Sequence, residues 1–228
     1  MRVSFKQFAK QFSVPHFWQK FAFVAVAIFL MGFFLSFLIE VGWGTDPCSF
    51  MNINLSNKMG WTLGTWQLTL NAVMLIFVIV FNPMLIGCGT VLNMVLIGYT
   101  ADFFTWVWGG CDFHAFIASS MGVRVAVFAA AIIGFVISTA VYLNCDMGIS
   151  PYDSVIKIIT GWLSRIPYFI LRIVYDLLAV VIGLVAGHFA VNGVQGSLLG
   201  TVIMAFAIGP AISAVGAFMK KHIAIFGE

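Results

Sequence analysis

Polar side chains set inside otherwise apolar runs are the residues here with chemistry to do. Arg172 and Asp176 stand four apart in one such run, and Gln67 and Asn71 stand four apart in another. At helical spacing each pair shares one face. The surrounding sequences align at a constant offset, which matches Gln67 with Arg172 and Asn71 with Asp176. A carboxylate deep in a membrane costs on the order of 2.5 to 3.5 kcal/mol on insertion scales and normally faces a partner or a watery cavity. Two chemistries follow. Either Arg172 neutralises Asp176 one turn away, in the less favoured order for a helical ion pair, or the two serve a solute, with Arg172 receiving an anionic group and Asp176 carrying a coupling proton.

A second pair of motifs lies outside these runs, Gly44-Thr45-Asp46-Pro47 and Gly148-Ile149-Ser150-Pro151. Gly relieves the backbone where one helix stops, and Pro suits the first turn of the next because its missing N–H would be an orphan there anyway. Asp46 and Ser150, just before the prolines, are placed to cap the free amides. A helix break needs no ligand. Yet paired Gly/Pro interruptions at corresponding positions of two halves are also the best sequence pointer to a transporter's binding site. The candidate solute-binding set is therefore Gly44, Thr45, Asp46, Pro47, Gln67, Asn71, Gly148, Ile149, Ser150, Pro151, Asp153, Arg172 and Asp176.

No nucleophile, base and oxyanion set is visible, so an enzyme is not expected. Neither a metal nor a cofactor is expected. Cys48, Cys88, Cys111 and Cys145 show no C-x-x-C spacing and read as small buried hydrophobes, a Cys48 to Cys111 disulfide being the minor alternative. The histidines, His16, His114, His188 and His222, fall at ends or in loops.

The elements that must position these residues follow from composition. Hydrophobic residues make up 62% of the 228 and charged residues 8%, against about 25% charged in ordinary soluble domains. This is an integral membrane protein. Long unalternating apolar runs choose helices over a barrel, and a spanning helix needs about 20 apolar residues. Six runs qualify, at about 21–40, 64–82, 84–108, 124–143, 167–187 and 197–219. A single membrane domain, 1–228, accounts for the whole length.

Before the first run, Phe5, Phe8 and Phe12 share one helical face and Lys6 and Lys10 another, so residues 1–20 read as an amphipathic interfacial helix. The aromatic stretch Trp106 to Phe113 reads as an outer interfacial belt and turn. With the N-terminus inside, nine basic residues fall inside and only Lys58 and Arg124 outside. That positive-inside bias makes both termini cytoplasmic.

One unit is used twice. Gly-Phe-x-x-Ser occurs at Gly32 to Ser36 and again at Gly134 to Ser138, and Gly-Thr-Val occurs at Gly89 and again at Gly200. Repeat 1 covers 21–110 and repeat 2 covers 124–219, each with three spans and one short segment. An odd number of crossings inverts the second copy. The short segments, 47–58 and 151–163, would be roughly 18 Å long at 1.5 Å per residue, too short to span. Re-entrant half-helices and helices flat at the interface both remain open at this point. The expected fold is an all-α polytopic membrane protein of about six transmembrane helices in two inverted three-helix repeats, each with a Gly-x-x-Pro break and a short half-helix.

Glu40 and Asp102 read as snorkelling interfacial charges, and Asn93, in a run of small residues, as interhelical glue. Gly-x-x-Pro-x-Asp at Gly148 to Asp153, Gly89-Thr90-Val91-Leu92-Asn93, Ile97-Gly98 and Asp102, with the doubled layout, together resemble the YczE/YitT-type family of small bacterial membrane proteins. The first copy departs from the second, with Cys48-Ser49 in place of Tyr152-Asp153. The resemblance implies a bacterial inner-membrane location and carries no particular activity with it.

The expected function is transport of a small polar or anionic solute by alternating access between the two repeats. Alternatives are a substrate-binding subunit of an energy-coupled uptake complex and a non-transporting regulatory membrane protein. The expected partners are the lipid bilayer and a small-molecule solute, with no nucleic acid; a homo-oligomer is left open.

Overall fold

Each of the six apolar runs forms one long helix in the computed structural model, which describes residues 16–227. These helices are α1 (Phe17–Val41), α3 (Leu63–Phe81), α4 (Cys88–Gly110), α6 (Met121–Asn144), α8 (Tyr168–His188) and α9 (Leu198–His222). Two short helices interrupt the series, α2 (Pro47–Met59) between α1 and α3, and α7 (Pro151–Trp162) between α6 and α8. A third, α5 (Phe113–Ala118), links α4 to α6. No strand occurs among the described residues. Six helices long and apolar enough to cross a bilayer make this a multi-pass membrane protein.

Two stretches differ from the sequence-based expectation. The interfacial helix expected over 1–20 falls mostly outside the described residues, and from Phe17 onward the chain already belongs to α1. Phe17 and Lys20 are buried against the bundle, which draws the first helix back past residue 21. Trp106 to Gly110 is not a turn but the last part of α4. There Trp108 donates from Nε1 to Ser36 Oγ at 2.9 Å, and its ring lies 4.8 Å from that of Phe37. Trp108 is therefore spent on helix packing, while Trp106 stays exposed.

Small residues set how closely the helices approach. α1 is central and packs against both α4 and α6, with Val24, Ile28 and Leu35 fully buried. A Cβ on Gly32 would fall 2.7 Å from Thr100 Cβ, and one on Gly98 would fall 2.6 Å from Gly64 Cα. Lipid tails are as apolar as leucine, so tight packing and polar contacts drive association here. The halves interlock: α2 packs along α8, and α7 packs along α3. Each short helix thus rests on the second span of the other half.

Asp102 proves to be a helix cap. It accepts from the amides of Leu63 and Gly64 at 3.1 and 2.7 Å, two of the orphan donors at the start of α3. Glu40, by contrast, pairs among the described residues with His114, at 3.6 Å. Asp102→Ala is expected to lower stability in detergent by about 2 kcal/mol. Glu40→Ala should cost less than about 1 kcal/mol. Thermal unfolding of the two variants side by side measures the difference.

Candidate functional site

The two Gly-x-x-Pro breaks build matching structures. Pro47 and Pro151 occupy first-turn positions of α2 and α7. Asp46 accepts from Ser49 N at 3.0 Å, and Ser150 Oγ accepts from Asp153 N at 3.0 Å. Each break is also held by the other half. Thr45 N donates to Thr201 Oγ1 at 3.4 Å, while Thr90 Oγ1 donates to Ile149 O at 2.8 Å. Gly89 N adds a bond to Met147 O at 2.7 Å. The recurring Gly-Thr-Val therefore clasps the opposite loop, a role its recurrence alone did not announce.

Gly44 and Gly148 are obligatory in this arrangement. Their φ values of +120° and +95° lie where a side chain is strained, and a Cβ would meet the backbone of the clasping helix.

The short helices stand alongside the spans rather than across them. Along α2, Phe50 and Met51 meet Gly183 of α8, and Asn54 further on meets Gly187. Along α7, Tyr152 joins Leu70 and Met74 of α3 in one cluster, while Trp162 packs edge-on against Phe77 and Phe81 at 5.8 and 4.9 Å. Cys48, Met51, Tyr152, Tyr175 and Ala179 belong to that same cluster. Both short helices thus begin beside the middle of long ones, and their first turns converge.

At that convergence sits a polar network. Arg172 donates from Nε to Asp176 Oδ2 at 2.9 Å and from a terminal nitrogen to Asp153 Oδ1 at 2.5 Å. Tyr152 donates its hydroxyl to Asp176 Oδ1 at 2.9 Å, and Ser150 Oγ donates to Asp153 Oδ2 at 2.8 Å. The guanidinium also lies over the Tyr152 ring, 5.5 Å from its centre. The unfavoured order of the Arg172 and Asp176 pair is overcome because Asp153, from another helix, fixes the far edge of the guanidinium. One flank is open: the Arg172 and Asp153 side chains are 31% and 30% exposed, against 8% for Asp176.

Asp46 lies within electrostatic range of Arg172 and Asp176. Its Oδ2 is buried without a hydrogen-bond partner among the described residues, as is Asn52 Oδ1 on the short helix that it caps. Two carboxylates, Asp153 and Asp176, meet the Arg172 guanidinium, and Asp46 stands nearby at the α2 N-terminus, each helix N-terminus being equivalent to roughly half a positive charge. The acids in this region outnumber the cationic groups. Among the described residues no group of His, Cys, Asp and Glu could hold a metal ion, and all four cysteines are free.

Of the sequence candidates, Ser150, Pro151, Asp153, Arg172 and Asp176 come together, with Asp46 and Pro47 beside them. Gly44, Thr45, Gly148 and Ile149 form the clasped loops. Gln67 and Asn71 are buried on α3 but make no hydrogen bond to the network among the described residues. Gln67 instead lies against Gly98 of α4. Nothing in local spacing marks Tyr152, a tyrosine after a proline, as the partner of a carboxylate on another helix.

Fold and network together define a polytopic helical membrane protein with two broken-helix elements meeting at a buried polar cluster. The chain belongs to DUF6198, a family of unknown function, whose profile matches residues 18–217. It is similar to the uncharacterized protein YyaS of Bacillus subtilis (strain 168), 23% identical over 194 residues, which cover 81% of this chain and 90% of that protein. It is also similar to the uncharacterized membrane protein YczE of the same organism, 28% identical over 149 residues, covering 63% of this chain and 65% of the relative. The resemblance to YczE-type proteins read from the motifs is thus shown. No solved structure gives a significant match.

Proposed function

We propose that the protein is a permease for a small polar solute, working by alternating access between two inverted halves of a bacterial inner membrane protein with cytoplasmic termini. The observation that carries this reading is the convergence of the α2 and α7 first turns on the network of Asp153, Arg172, Asp176 and Tyr152. Broken helices whose N-termini meet near mid-depth are how transporters of this architecture build a solute site. Arg172 is already shared by two carboxylates. A solute carrying a positive group fits the surplus of acids better than a simple anion does, and Asp176 would exchange the coupling proton. With Arg172 set aside because it lies within α8, eight basic residues on one side against two on the other support the proposed orientation.

Alternating access requires that the clasps at Thr45 and Ile149 open in opposition. In a background lacking the native cysteines, Thr45→Cys with Thr201→Cys would lock one clasp on oxidation. Ile149→Cys then reports on the other through a soluble thiol reagent. Labelling at Ile149→Cys should rise severalfold on oxidation and fall again on reduction. Labelling indifferent to the lock would mean that the breaks are static helix ends, and the permease reading would fail.

A further inference from the structure

A groove runs down the outside of the bundle between α6 and α9, far in sequence from the network. Its volume is about 400 Å³, and its walls include Trp43, Phe128, Ile132, Ile203, Ala207 and Ala211. It exists because α9 is poorly covered: 11% of its apolar window is buried, against 28 to 44% for the other spans. The wall on α9 runs from Leu199 to Ala211, roughly 18 Å of helix at 1.5 Å per residue. One leaflet's hydrocarbon is about 15 Å deep, half of about 30 Å. The groove is one leaflet long.

Its end beside the α6 N-terminus carries a cation. Arg124 lies one turn before Phe128, with its guanidinium 5.1 Å from the centre of the Trp43 ring, and Trp43 in turn packs edge-on against Phe128 at 5.4 Å. Arg124 donates to Val41 O at 2.6 Å, and among the described residues no carboxylate lies within ion-pair distance of it. Trp and Arg at a helix end are residues of the membrane–water interface. Apolar walls cannot select a ligand from a solvent of acyl chains, because the tails are as apolar as the walls. Selection must fall to the charged end.

We propose that this groove is a binding site for an anionic phospholipid, one acyl chain lying along α6 and α9 and the phosphate at Arg124. A second copy of the chain is the rival occupant; a lipid is favoured because the groove is one leaflet long and ends at a cation that donates to Val41 O and, among the described residues, has no carboxylate partner. The site stands independently of the permease reading.

The test is native mass spectrometry of the full-length protein in detergent, titrated with palmitoyl-oleoyl phosphatidylglycerol or with phosphatidylcholine of the same chains. Phosphatidylglycerol should bind about fivefold more tightly, the scale expected for one basic residue near an anionic headgroup. Arg124→Gln should erase that preference and Arg124→Lys should keep it. Ala207→Phe, at an exposed position on the groove wall, should weaken both lipids severalfold without lowering the unfolding temperature. Equal binding of the two lipids by the unaltered protein overturns the proposal, as does unchanged binding by Ala207→Phe. A dimer peak in place of lipid adducts would give the groove to a second copy and equally overturn it.

Discussion

Arg172→Leu is expected to lose about 3 kcal/mol of stability, which for a chain of this length is a fall of roughly 6 to 12 °C in unfolding temperature. The substitution leaves Asp153 and Asp176, both bonded to the same guanidinium, facing each other without a counter-charge. Breaking a buried pair from one side typically costs 3 to 5 kcal/mol. The lower end applies because Arg172 and Asp153 are each about a third exposed. Adding Asp153→Asn and Asp176→Asn to Arg172→Leu should restore most of the loss, since the uncompensated charges are then gone. Asp176→Asn alone should fold nearly normally, because the amide oxygen can still accept from Arg172 Nε while its N–H2 donates to the Tyr152 hydroxyl, and Asn71 stands at the matching place in the first half. An Arg172→Leu protein that unfolds at the unaltered temperature would show that the network does not hold the short helix to the span.

A comparable loss is expected from Gly148→Ala and from Gly44→Ala, each about 2 to 5 kcal/mol. A Cβ at Gly148 would lie 2.6 Å from Thr90 Oγ1 and 2.7 Å from Gly87 Cα, and one at Gly44 would lie 2.6 Å from Thr201 N. The backbone strain of a positive φ adds about 1 to 2 kcal/mol to the cost of forcing the clasp apart, itself about 1 to 3 kcal/mol. Gly60 supplies the control: its φ is +68°, yet a Cβ there meets nothing within 4 Å. Gly60→Ala should therefore cost only the strain. Thermal unfolding of the three variants in one detergent separates the contributions, and equal losses at all three positions would show that close approach to the clasping helix is not what makes the loop glycines necessary.

The spans and both short helices were legible because the signals are local. Apolar length marks a span, and Gly-x-x-Pro with Asp46 or Ser150 marks a break and a cap within four consecutive residues. What was not legible depends on partners far along the chain. Thr45 meets Thr201 across 156 residues, and Thr90 meets Ile149 across 59. No periodicity encodes either. Asp102 read as a snorkelling charge because its charge was visible and the amides of Leu63 and Gly64, 39 and 38 residues away, were not. Trp108 read as part of an interfacial belt for the same reason, its partner Ser36 lying on another helix. The Arg172 and Asp176 pair was anticipated from its four-residue spacing. Asp153, which completes it, arrives from the other side of the Pro167 turn.

The interlocking of the halves has a consequence for synthesis. Asn54 of α2 bonds to Gln195 O and receives Gln195 N, 141 residues later in the chain. At ribosomal speeds of about 5 to 20 residues per second, that partner emerges on the order of ten seconds after α2 has entered the membrane. Until then a short helix bearing Asn52, Asn54 and Ser56 has no α8 to lie against. During that interval the newborn N-terminal half carries polar groups whose partners do not yet exist, and a chain truncated before α8 should be degraded rather than accumulate as a stable half.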